Sequence, residues 1–170
     1  MKTFRISLVL VAVCSLLIGS AAITAHTTSA LAGSKGGDSG VQQELVQARR
    51  ATARYHDIEQ ALADGYENFG LYESGEGHHY VKFSLIDGTF DPAQPEMLLY
   101  SPVPGEERLE LAGVEYLVPT SLSSNAPAGF TGDFDQWRND MEGFGLWELN
   151  VWIWMHNPDG MFADRNPRVP

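Results

Sequence analysis

The stretch from Trp147 to Phe162, WELNVWIWMHNPDGMF, is the sequence feature that most limits how this chain can fold. It contains three of the four tryptophans and an Asn-Pro-Asp-Gly turn. Successive side chains of a strand point to opposite sides, and here both sides carry large apolar groups. This pattern is typical of a central strand or a cavity wall. The two predicted faces are Leu149, Val151, Ile153 and Met155, and Asn150, Trp152, Trp154 and His156.

The amino terminus predicts a secretory signal peptide over residues 1–32. Lys2 and Arg5 form a short basic region, an uncharged apolar run follows, and Ala30-Leu31-Ala32 offers a cleavage site. The apolar run is also long enough to cross a bilayer, so an uncleaved N-terminal membrane anchor is the alternative. Residues 33–40, GSKGGDSG, are predicted to be a flexible linker before a single domain over residues 41–170. The expected localisation is secreted or extracytoplasmic.

Charge and cysteine content disfavour several classes of function. The chain carries 22 acidic and 11 basic residues, a formal net charge of −11. Nucleic acids and anionic membrane surfaces attract basic proteins, so we expect no nucleic-acid partner and no membrane contact after leader removal. Cys14 is the only cysteine and lies within the leader. The mature chain is therefore expected to hold neither a disulfide nor a thiolate metal site.

Periodicity in the rest of the chain predicts an α+β fold. Apolar residues recur every three or four positions over residues 41–66, which predicts one long amphipathic N-terminal helix ending near Gly65. The glycine-rich residues 67–77 are predicted to be a loop. Four antiparallel strands are predicted, at residues 79–86, 97–101, 108–118 and within 147–156. A helix across one face of such a sheet resembles the cystatin-like arrangement in its order.

The third strand and the segment after it leave two questions open. Ala112-Gly113 favours a β-bulge in the third strand. Without a bulge, Glu115 shares a face with Leu109 and Leu111; with one, Glu115 lies on the opposite face. Residues 119–145 are too long for a plain connector, and loops of that length often serve as lids or binding elements.

Polar residues placed among apolar ones are the candidate site residues. His79 begins a strand whose inward side is apolar, and Glu115 lies in the apolar run LAGVEYLVP. A carboxylate in such surroundings must be paired, hydrogen-bonded or protonated, because burying its charge alone is costly. We predict that His79, Glu115 and Asn150 meet at a pocket mouth with Trp152 as its wall. The alternative is a His–Glu hydrogen bond inside the core that joins neighbouring strands.

Two kinds of ligand suit these residues. A histidine and a carboxylate can hold zinc or a similar ion, so a divalent transition metal is the candidate cofactor. The sequence has no H-E-x-x-H or H-x-H spacing to strengthen this prediction. The candidate metal ligands are His79, Glu115 and His156. A small organic molecule is the other candidate. The residues predicted to line its pocket are Tyr80, Asn150, Trp152 and Trp154.

The sequence favours a module that binds a small ligand or a metal, or has a structural role, over an enzyme. The alternative is a hydrolase or isomerase that uses Glu115 and His79 as acid and base. Nucleophilic catalysis has less support, because there is no G-x-S-x-G motif and no cysteine beyond the leader. Cystatin-like protease inhibition ranks last, since the sequence lacks an obvious Gln-Val-x-Val-Gly hairpin.

Several motifs resemble those of a family of small exported bacterial proteins. They are HY at residues 79–80, PExLxY at 95–100, VEY at 114–116, VWxW at 151–154, NPxGMF at 157–162 and NPRV at 166–169. The resemblance covers about residues 50–170 and implies export without implying a particular activity. Relatives often have histidine at the position of Asn150. The resemblance therefore implies a metal triad of His79, Glu115 and that histidine in relatives, which the Asn150 amide weakens here.

Overall fold

The computed structural model describes residues 35–139 and 143–170, with side chains from residue 39 onward. The predicted leader over residues 1–32 lies outside the described residues. The helices are α1 (Lys35–Thr52) and α2 (Ile58–Ala63), with short 3-10 turns at Ala53–His56 and Phe83–Leu85. The strands are β1 (Glu67–Glu73), β2 (Gly77–Val81), β3 (Met97–Pro102), β4 (Leu109–Pro119), β5 (Arg138–Asn139) and β6 (Leu146–Val151).

The strands form one antiparallel sheet in the order β1-β2-β3-β4-β6-β5. The α+β prediction is confirmed, but the expected sheet of about four strands is too small. The two unpredicted strands, β1 and β5, are the sheet edges. β1 was expected to be a loop because of the glycines in this region. In the structure its side chains are mostly exposed, as is typical of an edge strand, so its sequence has no alternating apolar pattern. β5 has two residues and lies inside the long segment predicted over residues 119–145.

The single helix predicted over residues 41–66 is interrupted in the structure. The Thr52 hydroxyl donates to the Ala48 carbonyl at 2.8 Å, a local bond that bends helices, and a 3-10 turn follows. Asp57 then begins α2, where its carboxylate accepts a hydrogen bond from the Glu59 amide. At the other end, α1 begins at Lys35, within the segment assigned to a linker.

The helices cover one face of the sheet and form the main core with it. Tyrosine hydroxyls join the two layers: that of Tyr100 donates to the Tyr55 carbonyl at 2.6 Å, and that of Tyr66 donates to the Pro95 carbonyl at 2.7 Å. Each fully buried aliphatic side chain stabilises the fold by about 1.5–3 kcal/mol. Buried members of this core include Val41, Leu45, Ala48, Tyr80, Leu98, Val114, Tyr116, Leu149 and Val151.

A β-bulge at Ala112 decides which way Glu115 faces. Leu99 pairs with Gly113 whereas Tyr100 pairs with Leu111, so Ala112 is the extra residue of β4. The interpretation with a bulge is confirmed: Leu111 packs in the core under the helices, and Glu115 faces the other side of the sheet. A Cβ atom at position 113 would lie 2.9 Å from the Val151 carbonyl oxygen, so glycine permits this close approach.

The last strand ends at Val151, earlier than the sequence predicted. The amides of Trp154 and Met155 both donate to the Ala112 carbonyl, at 3.1 and 2.8 Å, and this turns the chain over the bulge. Trp152 therefore packs on the face opposite the helices, whereas Trp154 packs against the core beneath them. The prediction that both indoles share one face is wrong.

The first predicted strand is also shorter than expected, because β2 ends at Val81 and a 3-10 turn replaces its second half. In the described part of the chain, no helix is long and apolar enough to span a membrane.

Candidate functional site

A pocket of about 260 Å³ opens on the sheet face opposite the helices. Its wall is apolar and one end is strongly polar. The apolar wall consists of Phe69, Leu71, Val81, Phe83, Ile86, Met97, Leu117, Phe144 and Leu146. The ionisable residues Glu76, His79, Glu115, Arg138 and Glu148 also line the pocket, and we call them the polar cluster.

Strand register brings the polar cluster together from four strands and one turn. His79 lies on β2 and Glu115 on β4, with β3 between them. Glu148 of β6 pairs with Leu117 of β4 on one side and with Arg138 of β5 on the other. Directly paired residues of neighbouring strands point to the same face, so Leu117, Glu148 and Arg138 share one face. Glu115 joins this face because it lies two positions from Leu117 along β4.

Glu76 reaches the polar cluster through the turn that precedes β2. Gly77 follows it with a φ of +90°, a conformation that residues other than glycine rarely adopt. A Cβ atom at position 77 would lie 2.3 Å from the Tyr100 carbonyl oxygen. Gly77 therefore allows both the tight turn and the close contact with β3 that place Glu76 beside His79.

His79 and Glu76 form a buried hydrogen bond, with 3.2 Å between Nε2 and Oε2 and side chains only 3% and 5% exposed. Burial lowers the pKa of His79, but the hydrogen bond and charge of Glu76 raise it above 6.5, and Glu115 contributes in the same sense when it is ionised. Burial acts on Glu76 in the opposite sense, by raising its pKa. The His79 hydrogen bond and the Arg138 charge outweigh this effect, so the pKa of Glu76 is below 4.5.

Glu115 is the least compensated carboxyl group of the cluster. Its Oε2 lies 4.0 Å from His79 Nε2, and no hydrogen-bond partner for this buried oxygen occurs among the described residues. Burial raises the pKa of Glu115 to about 8, and the negative charges of Glu148 and Glu76 add to this effect while the charge of His79 opposes it. Glu115 is therefore mostly a neutral carboxylic acid at pH 7.

Arg138 is the cation at the centre of the cluster. Its guanidinium lies 3.4 Å from Glu76, 3.7 Å from Glu115 and 3.6 Å from Glu148. It also forms an ion pair with Asp164. Burial lowers the pKa of Arg138, but the surrounding carboxylates outweigh burial and raise it. One buried cation thus holds several carboxyl groups together, an arrangement that depends on every partner being present.

Three phenylalanines form the rim of the pocket. Phe69 packs edge-on against Phe83 at 6.3 Å and against Phe144 at 5.8 Å between ring centroids. These rings are 38%, 56% and 54% exposed, respectively. An exposed cluster of aromatic rings is unusual on the surface of a soluble protein and often marks a binding site.

An irregularity in β1 brings part of this rim over the polar cluster. Asn68 pairs with Tyr80 and Tyr72 with His78, so the three residues between Asn68 and Tyr72 lie opposite His79 alone. The extra residues include Phe69 and Leu71, which both line the pocket. The glycine of this segment favoured a loop in the sequence. In the structure it lies where β1 contains extra residues and bulges away from regular pairing with β2.

The structure brings together only some of the residues predicted for the site. His79 and Glu115 both line the pocket. Asn150 pairs with Glu115 across β4 and β6, but its amide donates to the Asp164 carbonyl at 2.7 Å. Trp152 packs beneath the pocket, and its indole donates to the Ala163 carbonyl at 2.7 Å. Neither Asn150 nor Trp152 is a lining residue.

The other predicted residues lie elsewhere. Tyr80 follows His79 in β2, so it points to the opposite face and packs under the helices. Trp154 also lies on the helix side, where its indole donates to the Thr52 hydroxyl at 3.1 Å. His156 is exposed and does not line the pocket. Tyr80 and Trp154 therefore do not line this pocket, whose apolar wall consists of the phenylalanine rim and its aliphatic neighbours.

Sequence reasoning missed three members of the polar cluster: Glu76, Arg138 and Glu148. Glu148 was recoverable, because it alternates with Asn150 and Trp152 on one face of the predicted last strand. Glu76 lies in a turn and Arg138 in a long segment without periodicity. No local pattern indicates that these two residues meet His79.

The donor set of the polar cluster differs from that of a typical metal site. Over residues 39–139 and 143–170, no group of three or more His, Cys, Asp or Glu side chains has an arrangement that would hold a metal ion. Arg138 instead supplies a positive charge among the carboxyl groups. The geometry favours ligand chemistry based on hydrogen bonds and ion pairs.

The chain matches no protein-family model, no curated protein and no solved structure. Its function is therefore inferred from the chemistry of the pocket itself.

Proposed function

We propose that the protein is a binding module for a small amphipathic molecule that enters the pocket between the phenylalanine rim and the polar cluster. The observation that carries this proposal is the combination of an apolar wall with a buried, ionisable end in one concave site. Small-molecule sites in proteins have this composition: mostly apolar walls with a few polar groups that orient the ligand.

The rim supplies the apolar part of the binding energy. Phe83 and Phe144 each leave more than half of their surface in water when the pocket is empty. A ligand that covers these rings would gain about 25 cal/mol for each Å² of apolar surface removed from water. The rim therefore favours a ligand with an aromatic or branched aliphatic body.

The polar cluster is difficult to explain by stability alone. Replacing buried ion pairs with apolar residues of similar volume is often neutral or stabilising. Glu115 has an oxygen at the pocket wall for which the described residues supply no hydrogen-bond donor. Such an unsatisfied buried group costs about 1–3 kcal/mol, and a bound ligand with a polar end would satisfy it.

Binding of N-phenyl-1-naphthylamine, a neutral dye whose fluorescence rises in apolar sites, tests the proposal. Leu71→Trp would place a larger side chain in the half-buried pocket wall. Leu122→Trp is the matched control, because Leu122 is 64% exposed and does not line the pocket. We expect saturable binding to the wild type and the control, and at least about tenfold weaker binding to Leu71→Trp, a loss of about 1.4 kcal/mol.

Equal dye binding by all three proteins would contradict the proposal, because the dye would then occupy some other surface. Thermal unfolding of each variant separates loss of the pocket from loss of the fold. A folded Leu71→Trp protein with weakened dye binding supports the pocket.

Acid–base catalysis is a second candidate, favoured by the position of two ionisable groups at the same pocket wall. Glu115 and His79 are 4.0 Å apart, and the pKa values of both are raised. A hydrolase or isomerase could use these groups as acid and base. Glu115 holds its proton at neutral pH, and the raised pKa of His79 extends the range in which its ring is protonated. An acid is therefore present, and the base becomes available as pH rises.

A screen of ester, glycoside and peptide substrates tests this second candidate. Turnover should follow a bell-shaped pH profile with its optimum on the alkaline side, and Glu115→Gln and His79→Gln should each abolish it. Glu110→Gln, a change at a partly exposed position of the same strand, should leave the profile unaltered. The absence of turnover across the screen would count against an enzyme.

The proposed site of action is outside the cytoplasm, on the basis of the leader predicted over residues 1–32. We also propose that the layer of α1 over the sheet is cystatin-like. This comparison concerns the arrangement of the helix and the sheet and implies no activity. Edman sequencing of protein recovered from the culture medium would test export, with an amino terminus at Gly33 as the expected result.

A further inference from the structure

Resting on the proposed function, we propose that the polar end of the ligand is a protonated amine that pairs with the Glu115 carboxyl group. The geometry that carries this inference is the Glu115 oxygen at the pocket wall, which has no hydrogen-bond partner in the described part of the chain. The charged groups around it include more carboxylates than cations.

The formal charge around Glu115 favours a cationic ligand. Three carboxylates face the cluster: Glu76 from the turn before β2, Glu148 from β6 and Asp164 from the C-terminal segment. Arg138 on β5 opposes them, and so does His79 on β2 when it is protonated. With Glu115 protonated, the sum is −3 + 2 = −1 if His79 is charged and −3 + 1 = −2 if it is neutral, so it is negative in both cases.

The nearest flanking charges do not change this balance. Glu73 of β1 also lines the pocket, and it pairs with Arg165 of the C-terminal segment at 2.7 Å. An anionic ligand would add negative charge to a site that already has an excess of it. An ammonium group would neutralise the excess, and like charges in a poorly solvated site repel strongly.

Glu115 has the properties required for pairing with an amine. Its side chain is 5% exposed, and Oε2 has no hydrogen-bond partner among the described residues. An ammonium group donates hydrogen bonds and accepts none, so it matches an oxygen that needs a donor. Hydrogen bonds between charged groups are about twice as strong as neutral ones.

Binding should release a proton from the protein. In the empty pocket Glu115 holds its proton at neutral pH, because burial raises its pKa to about 8. An ammonium ligand favours the ionised carboxylate, so the Glu115 O–H bond breaks and the proton passes to solvent. The ligand remains protonated at neutral pH, since an alkylammonium group loses its proton only near pH 10, as the lysine side chain does with a pKa of about 10.4.

Three probes with nearly the same body and different heads provide the test: 2-phenylethylamine, 2-phenylethanol and 3-phenylpropanoate. Each has a phenyl ring for the rim and a short chain that reaches the polar cluster. By isothermal titration calorimetry we expect the amine to bind at least about tenfold more tightly than the alcohol, and the carboxylate to bind most weakly. Below pH 8, amine affinity should rise by up to about tenfold per pH unit, since proton release accompanies binding.

Two variants separate charge from shape. Glu115→Gln keeps the size of the side chain but cannot ionise, so it should lose the amine preference and the pH dependence while still binding 2-phenylethanol. Glu110→Gln removes a carboxylate from the same strand away from the pocket, and it should behave as the wild type. Titration in two buffers of different ionisation enthalpy should show proton release for the wild type and none for Glu115→Gln.

Equal binding of the three probes, tighter binding of the carboxylate, or an amine preference that persists in Glu115→Gln would overturn the inference. The dye experiment separates this failure from failure of the binding module. If the dye still reports the pocket, the module stands and only the amine is wrong. If Leu71→Trp leaves dye binding unchanged, the pocket itself is not the site.

Discussion

Glu115 Oε2 lies 4.0 Å from His79 Nε2, although the two residues belong to strands that are not neighbours in the sheet. β3 separates β2 from β4, and its Leu99 pairs with His79 on one side and with Gly113 on the other. Because Gly113 has no side chain, it presents little bulk beside this contact. Because the two groups are this close, the charge on one affects the pKa of the other.

The stability of the protein should fall as pH rises through the range in which Glu115 is protonated only in the folded state. Glu115 has a pKa of about 8 when folded, against 4.5 for an ordinary glutamate. Between these values unfolding releases a proton, so this group lowers the free energy of unfolding by up to about 1.4 kcal/mol per pH unit as pH rises. Glu115→Gln should remove that slope, and urea unfolding at several pH values measures it.

His79 contributes a slope of the same sign, which should remain in Glu115→Gln. Its raised pKa gives stability that is fully present below pH 6.5 and is lost as pH rises through the folded value. Glu110→Gln should retain the complete wild-type slope. Identical slopes in the wild type and in Glu115→Gln would show that Glu115 is ionised in the folded protein.

The pKa values of the adjacent residues His78 and His79 should be shifted in opposite directions from the ordinary histidine value. Burial and the charge of His79 lower the pKa of His78 below 6.5. For His79, the hydrogen bond and charge of Glu76 outweigh burial and raise the pKa above 6.5. Imidazole resonances followed by NMR across a pH titration measure both values in one sample.

Glu76→Gln provides the critical comparison for this pair. It removes a charge next to His79, so the pKa of His79 should fall. The pKa of His78 should then rise slightly, because the charge of His79 that lowers it is present over a narrower pH range. A His79 pKa that does not respond to Glu76→Gln would mean that the 3.2 Å hydrogen bond does not set its charge.

Arg138→Met should destabilise the fold by about 3–5 kcal/mol at pH 7, since it leaves buried carboxylates without their cation. The loss should be smaller at pH 5, because the abandoned carboxyl groups can then take up protons. Urea unfolding at the two pH values measures both effects. Arg108→Met is the control: Arg108 is 59% exposed and pairs with Glu106 at the surface, so its loss should leave the free energy of unfolding almost unchanged. Similar losses for both variants would contradict the central role of Arg138.

Gly77→Ala should destabilise the protein more than Gly105→Ala. Both glycines have positive φ values, +90° and +80°, so alanine is strained by about 1–2 kcal/mol at either site. Only at position 77 would the new Cβ atom lie 2.3 Å from the Tyr100 carbonyl oxygen; position 105 has open space. Thermal unfolding should therefore show a larger fall in Tm for Gly77→Ala, and equal shifts would mean that the turn adapts without displacing β3.

Much of the fold could be predicted because it depends on local patterns. The helical period of α1 and the apolar runs of β3 and β4 indicated an α+β layer. The small residues at 112–113 indicated the bulge. Polar residues inside apolar runs also identified His79 and Glu115 as candidates, since burying such groups requires a partner. These features depend on residues that lie within a few positions of one another along the chain.

Other features depended on contacts between segments that are far apart in the sequence. β1 exists because β2 supplies a hydrogen-bonding edge, and its own side chains carry no strand pattern. Similarly, β6 ends at Val151 because the Ala112 carbonyl captures the amides of Trp154 and Met155. The position of Trp154 on the helix side followed from that long-range contact.

The sequence by itself determined which residues must avoid water: the apolar faces of α1, β3, β4 and β6, and the need of Glu115 for compensation. Only the tertiary structure decided which groups compensate the buried Glu115 carboxyl group. His79 and Arg138 come from segments far from Glu115 in the sequence, and sheet register sets their distances from it. The charge on a buried group depends on the distances to all its neighbours, so the chemistry of this pocket arises only when the distant segments meet.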